Sequence, residues 1–143
     1  MNGDRGQALA LAVLALALAA VTIVGLHAAQ DRILADARDR RAGEAAVEAA
    51  GATIADALVD LAASLRDRGN ARVSPTRAEL DALLADPLLV ERSRRSANDL
   101  SAANGGEDVR DLEISLGDRT IEIALSAGAH RQRASIETAC CRR

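Results

Sequence analysis

The sequence predicts an α+β protein in which a long N-terminal helix precedes a small three-stranded antiparallel sheet. Three observations lead to this prediction. Residues 8–29 form an uncharged apolar run, residues 30–68 contain no proline and are rich in helix formers, and apolar and polar residues alternate after residue 107. A helix of about 60 residues followed by short strands accounts for all three. The predicted regions are a leader (1–7), a transmembrane helix (8–29), an amphipathic extension (30–69), a helical connection (70–106), and a β meander with a tail (107–143).

The apolar run predicts a membrane anchor. Only Thr22 and His27 carry polar side chains between Ala8 and Ala29. A helix of this length spans about 33 Å, which matches the hydrocarbon core of a bilayer. A cleaved signal peptide has a shorter apolar core and a small-x-small cleavage site. No clear site of that kind follows Leu26, so a retained helix is the preferred interpretation.

The extension after the anchor has one apolar stripe. Its large apolar residues are spaced by three, four and seven positions, which places them on one helical face. These residues are Val47, Ile54, Leu58, Leu61 and Leu65. Gly69 and Asn70 are typical of a helix end. We therefore expect one side of this helix to pack against the rest of the domain.

The connection predicts two short helices. Thr76 and Glu79 have the spacing of a capping box, so a helix begins there and continues to about Ala85. Asp86–Pro87 ends that helix. A second helix is predicted over Leu88–Ala103, ended by Asn104–Gly106. Its expected buried residues are Leu88, Leu89 and Val90, and its expected exposed residues are Arg92, Arg94 and Arg95.

The C-terminal third predicts a β meander. Alternation places Leu112, Ile114 and Leu116 on one face of the first strand, and Ile121, Ile123 and Leu125 on one face of the second. Gly117–Asp118 between them predicts a two-residue hairpin loop. A turn near Gly128 leads to a third strand over about 131–138, with Ala134 and Ile136 facing the core. A three-stranded sheet needs a cover, and the apolar stripe of the long helix is the available one.

The composition and motifs argue against several functions. The chain has no Phe, Trp or Tyr, and its net charge of −3 provides no basic surface for nucleic acid. His27 and His130 have no nucleophile or carboxylate patterned beside them. Paired acids such as Asp56 and Asp60 are typical of a solvated helix face. We therefore predict no catalytic residues, no metal site and no cofactor.

Two adjacent cysteines, Cys140 and Cys141, lie near the C-terminus. A disulfide between neighbouring residues is strained. Two interpretations remain. The thiols are solvent-exposed on a frayed tail, or they form an intermolecular disulfide in an oxidising compartment.

Four features together carry a family resemblance. The leader ends in Asp4–Ala8 directly before the apolar helix, the helix continues into the alanine-rich stretch Ala42–Ala52, Ala102–Gly106 precedes the strands, and alternating strands close the chain. This layout resembles the TadE/TadG-like pilus-assembly proteins, which are minor pilins or pseudopilins of tight-adherence (Flp-type) pili. The resemblance covers most of the chain.

The resemblance implies a pilin-like structural protein of a pilus or secretion filament. Its partners would be membrane lipid, other pilins or assembly-platform proteins, and further copies of itself. A prepilin peptidase would cut between Gly6 and Gln7. Pilins commonly carry Glu at the fifth position after this glycine, where this chain has Leu11.

The resemblance and the charge distribution predict opposite orientations. The family implies a single-pass protein of the inner (cell) membrane with an extracytoplasmic C-terminal domain. Only Arg5 precedes the anchor, whereas Arg32, Arg38, Arg40 and Arg41 follow it, which by the positive-inside rule favours a cytoplasmic domain. A folded domain can override such charges, so we expect the family orientation.

Two other functions compete with this interpretation. A membrane-anchored coiled-coil scaffold would use the Val47–Leu65 stripe to dimerise. An anchored binding module would need a pocket, which a core without aromatic residues makes less selective.

Overall fold

The computed structural model describes residues 3–67 and 74–138, with the side chains of 3–6 and 8–10 not described. The chain divides into two compact units, Met1–Ala37 and Arg38–Arg143. The predicted α+β class is confirmed, with a three-stranded antiparallel sheet. The elements are α1 (Gly3–Asp67), α2 (Arg77–Leu84), α3 (Pro87–Ala103), β1 (Val109–Leu116), β2 (Thr120–Ala127) and β3 (His130–Glu137). The helix end predicted at Gly69–Asn70 lies outside the described residues.

The core of the second unit lies between α1 and the sheet. Ile121, Ile123 and Leu125 of β2, the central strand, are fully buried and share one cluster with Val47 and Ile54 of α1. The remaining apolar residues of the predicted sheet face pack against this cluster, namely Leu112, Ile114, Leu116, Ala134 and Ile136. The predicted alternation and the helix cover are therefore both confirmed.

Small residues of α1 bring the helix close to the sheet. Ala42, Ala46 and Ala50 are completely buried. A Cβ added at Gly51 would lie 3.6 Å from Cδ1 of Ile123, and one at Gly43 would lie 2.9 Å from Cγ of Gln132. Along α1, the interface with the sheet thus consists first of Ala and Gly and then of the predicted Leu/Ile stripe. Large side chains at these positions would hold the helix away from the sheet.

The two short helices are capped as their sequences require. At α2, the Glu79 backbone N–H donates to Oγ1 of Thr76 (3.3 Å), and the Thr76 backbone N–H donates to Oε2 of Glu79 (2.7 Å). At α3, the Leu88 backbone N–H donates to Oδ1 of Asp86 (2.9 Å), with Pro87 in the first turn. Asp86–Pro87 therefore separates α2 from α3. The helix α3 begins at Pro87, one residue earlier than predicted.

The buried face of α3 differs from the prediction. Leu88 is 71% exposed, so its predicted burial is wrong, whereas Leu89 is buried and Val90 half-buried. The buried positions recur every four residues from Leu89, and Leu88 lies about 100° away from that row. The row consists of Leu89, Ser93, Ala97 and Ser101. Arg92, Arg94 and Arg95 are exposed, as predicted.

Glycine ends α3 at the predicted place. Gly105 has a φ of +74°, its N–H donates to the Ala102 carbonyl (3.0 Å), and the Gly106 N–H donates to the Ser101 carbonyl (2.9 Å). This pair of bonds is a Schellman motif. A Cβ at Gly106 would overlap the Cβ of Ala42, so the end of α3 touches α1 directly.

The β1–β2 loop differs from the predicted one. The Gly117 N–H donates to the Thr120 carbonyl (2.8 Å), so Asp118 and Arg119 form the loop and the predicted Gly117–Asp118 loop is wrong. Gly117 does not have a positive φ. The glycine-led turn lies instead between β2 and β3, where Gly128 has a φ of +59°. The third strand is confirmed, beginning one residue earlier than predicted.

A β-bulge interrupts β1. Arg110 pairs with Ser126 and Glu113 with Ala124, so two β1 residues face one β2 residue. One of the two is Asp111, whose φ is +53°, a conformation that Asp tolerates better than most residues. The extra residue restores Val109 to the apolar face, where it is buried.

The glycine contacts predict opposite effects of two alanine substitutions. Gly106→Ala should destabilise the chain by about 1–3 kcal/mol, because the new methyl group overlaps Ala42. Gly51→Ala should be neutral or stabilise by up to about 1 kcal/mol, because its new contacts have ordinary spacing and alanine favours the helix. Chemical denaturation of the full chain in detergent, followed by circular dichroism, measures both. Equal effects would contradict this interpretation.

Two buried serines of α3 provide a second matched pair. Oγ of Ser101 donates to the Glu107 carbonyl at 2.7 Å, whereas Oγ of Ser93 is buried without a hydrogen-bond partner. We expect Ser101→Ala to cost about 1 kcal/mol and Ser93→Ala to be neutral or stabilising. The same denaturation measurement compares them, and a larger loss at Ser93 would contradict the assigned bonding.

Candidate functional site: the apolar segment of α1

The described part of the first unit is helical, and its large apolar side chains are exposed. Leu16 is 71% exposed and Val21 is 72% exposed. The other exposed apolar residues of this unit include Leu11, Val13, Leu14, Leu18, Ile23, Val24 and Leu26. Water-exposed apolar surface costs about 25 cal/mol per Å², so transfer of this segment to an apolar environment is favourable.

The polar side chains within this segment bond to their own helix. Oγ1 of Thr22 donates to the Leu18 carbonyl at 2.8 Å, and Nδ1 of His27 lies 2.9 Å from the Ile23 carbonyl oxygen, a hydrogen-bonding distance. Both side chains therefore reach back one helical turn. A helix in hydrocarbon satisfies its polar groups in this way, because no water is available there.

The helix is long and apolar enough to cross a membrane once. Among the described residues, α1 is the one helix that meets this criterion, and no part of its apolar window is buried within the protein. A signal sequence near an N-terminus meets the same criterion of length and composition. The core helix of a soluble protein meets it too, but is mostly buried. The exposed segment is thus compatible with a single membrane span.

Apolar exposure extends beyond the predicted span. Ile33 and Leu34 are exposed although they follow Ala29. The charged pair Asp31–Arg32 ends the uncharged run and defined the predicted limit at residue 29. The Ile33–Leu34 pair was the sequence signal for a longer apolar surface. Long side chains such as Arg32 can extend their charge toward the interface, so such a surface can include them.

The other residues predicted from the sequence are the cleavage site and the two cysteines. Gly6 and Gln7 lie within α1, which begins at Gly3, and Gln7 and Leu11 are exposed. Cys140 and Cys141 lie outside the described residues. The cleavage at Gly6–Gln7 and the redox state of the cysteines remain predictions.

The second unit has a polar groove on the outer face of its sheet. The groove has a volume of about 420 Å³, and an ion pair crosses the sheet there, with Nη2 of Arg131 2.6 Å from Oε2 of Glu113. Its remaining polar lining is Ser115, Glu122, Arg133 and Ser135. Within residues 3–67 and 74–138, no group of three or more His, Cys, Asp or Glu side chains is arranged to hold a metal ion. Asp56 and Asp60 both lie on exposed helix surface.

Comparison with known proteins gives no relative. No family model, curated protein or solved structure matches the chain. We therefore classify the chain by its architecture. It combines an exposed apolar helix segment with a compact α+β unit whose core includes the same helix.

Arginine substitutions distinguish the apolar segment from ordinary exposed apolar surface. Leu16→Arg with Val21→Arg should move the protein out of the alkali-resistant membrane fraction, because each arginine near a bilayer centre costs about 2.5–3.5 kcal/mol. Leu88→Arg is the matched control, since Leu88 is equally exposed but lies in the second unit. Fractionation of alkali-washed membranes measures the effect. Full retention of the double variant would contradict a membrane role for this segment.

Proposed function

We propose that this protein is a membrane-anchored structural subunit, of the minor pilin or pseudopilin kind, in a pilus or secretion filament. One observation carries the proposal. A single helix, α1, supplies both the exposed apolar segment and the buried helix of the second unit. The TadE/TadG-like features of the sequence, from the Gly6–Gln7 leader to the closing strands, support the same function.

The surface of the apolar segment suits association with lipid and with other helices. Its leucine and valine side chains are exposed. A Cβ at Gly25 would meet nothing within 4 Å. Alanine and glycine along such a helix permit close helix–helix approach in a membrane. A subunit that leaves the bilayer to join a filament needs this kind of lateral contact.

The burial of α1 in the second unit supports a structural role. Ala46, Ala50 and Ile54 are completely buried against the sheet. A displacement of the helix along its axis would therefore disrupt the core of the unit. The sheet is thus packed on its own length of α1, which follows the apolar segment directly in the chain, as a subunit that transmits load requires.

The same burial supports this proposal over the coiled-coil scaffold. Val47 and Ile54 belong to the core cluster of the chain itself, and Leu65 is also buried. A second chain would have to displace the sheet to reach this stripe. Dimerisation through it is therefore unfavourable.

In this proposal the second unit is extracytoplasmic and contacts other pilins or assembly-platform proteins. Pull-down of the full chain from cross-linked native membranes tests it. We expect other pilin-like subunits or polytopic assembly proteins among the identified partners. The Leu16→Arg/Val21→Arg variant should lose them, and Leu88→Arg should retain them. Recovery of neither kind of partner by the unaltered chain would refute the proposal.

A further inference from the structure

We propose that the outer edge of β3 binds an extended segment of another protein, which adds to the sheet as an antiparallel fourth strand. The bound segment has an acidic side chain beside Arg133 and apolar side chains on the core face of the sheet. This inference deepens the proposed function, because it names the surface of the second unit that a partner uses and the chemistry of that partner. It rests on that function in one step only, the exclusion of a second copy.

The edge formed by β1 is already covered. The sheet order is β1–β2–β3, so β1 and β3 are its two edge strands. Oδ1 of Asn98 in α3 accepts from the Val109 backbone N–H (2.7 Å), and Nη2 of Arg77 in α2 donates to the Leu116 carbonyl (3.3 Å). The bulge at Asp111 lies between these two bonds. Side chains and a bulge are common means of blocking an edge strand, so β1 is closed to a further strand.

The edge formed by β3 has unpaired backbone groups. The Thr138 N–H donates to the Arg119 carbonyl (2.8 Å), in line with the β2–β3 register. Alternate residues of an antiparallel pair bond to each other, so the even-numbered residues of β3 bond to β2 and the odd-numbered ones point outward. Within residues 3–67 and 74–138, no hydrogen bond reaches the outward groups. We call these groups the β3 edge, and they belong to Arg131, Arg133, Ser135 and Glu137.

The spacing of these groups selects an extended polypeptide as the partner. Outward residues follow one another every two positions, which is about 6.8 Å along a strand. Only another extended backbone presents N–H and C=O groups in the same alternation. Strand addition of this kind draws its affinity from main-chain bonds and its specificity from alternate side chains. The antiparallel direction is the more stable one.

The side chains of β3 define the chemistry of the partner. On the outer face, Arg131 is held by Glu113, whereas Arg133 is exposed and forms no ion pair in the described part of the chain. An acidic side chain beside Arg133 would therefore meet an unpaired positive charge. On the core face, Ala134 and Ile136 pack against the core cluster but are only half-buried. Apolar side chains beside them would complete their burial.

A second copy of the chain does not fit this edge. Gly43 lies near Gln132 and Gly51 near Ile136, so β3 and the α1 residues above it run in the same direction. Antiparallel pairing of β3 with β3 of another copy would therefore turn the two lengths of α1 in opposite directions. Copies anchored in one membrane through the preceding segment run in the same direction. The partner is therefore a different protein.

A synthetic peptide tests the strand addition on the full chain in detergent. The peptide has valine at its core-face positions. Its outer positions are lysine, threonine, glutamate and threonine in that order, which places them beside Glu137, Ser135, Arg133 and Arg131. A terminal tryptophan reports binding, because the chain itself has no Phe, Trp or Tyr. We expect saturable binding, and about fivefold weaker binding of a peptide in which lysine replaces the glutamate.

Charge reversal in the chain tests the contact with Arg133. Arg133→Glu should reverse the preference, so that the lysine peptide binds more tightly than the glutamate peptide. Arg94→Glu is the matched control on the exposed surface of α3 and should leave the preference unchanged. The reversal also shows that the variant is folded. Equal binding of both peptides by the unaltered chain would overturn the assigned chemistry.

A proline substitution tests the backbone contact. Ser135→Pro removes an outward N–H without removing a bond to β2, so it should abolish peptide binding while circular dichroism is unchanged. Ser135→Ala should bind as the unaltered chain does. Should Ser135→Pro prove unfolded, the same peptide with every backbone N methylated should fail to bind the unaltered chain.

Three outcomes would overturn the proposal. The first is no saturable binding, which would leave the charges of β3 as protection of the edge. The second is binding that persists after both the proline substitution and N-methylation. The third is a dimer of the full chain in sedimentation that Ser135→Pro dissociates, because the occupant would then be a second copy. If any of these occurs while the chain still recovers pilin-like partners from membranes, the edge contact is wrong and the proposed function stands.

Discussion

The contact between α1 and β2 is the interaction on which the rest of the structure depends. A three-stranded sheet cannot leave its apolar face in water, and this chain has no aromatic residue with which to build a broad cover. Ile121, Ile123 and Leu125 are buried because the alanine-rich surface of α1 lies close to them. Close approach of small residues replaces the bulk that aromatic side chains would otherwise provide.

This contact also determines which surfaces remain for function. One side of α1 is used by the sheet, so residues 38–66 present only the opposite side to other molecules. The residues before Arg38 have no sheet to cover them and expose their apolar side chains instead. The two lengths of α1 before and after Arg38 therefore differ in whether their apolar side chains are covered.

The features that sequence predicted well are local ones. The capping box at Thr76, the stop at Gly105 and the alternation of β2 depend on neighbours within a few residues, and the structure reproduces them. The exposure of Leu88 and the bulge at Asp111 depend on how distant elements meet, so no local pattern predicted them. In the candidate site, the uncharged run predicted an anchor, but Ile33 and Leu34 lay beyond the charges that defined its end.

The contact between Gly106 and Ala42 has a consequence for how this sequence can vary. A Cβ at Gly106 would overlap the Cβ of Ala42 and would lie 2.7 Å from Oγ of Ser101, so the space between the end of α3 and α1 is already filled. A larger residue at either position would need a smaller one at the other, and glycine at 106 leaves nothing further to remove. The two positions should therefore vary together, although they are far apart in the chain. In related sequences, residue 42 should be no larger than alanine wherever residue 106 is glycine, and an alanine at 106 should occur with glycine at 42 and a change at 101.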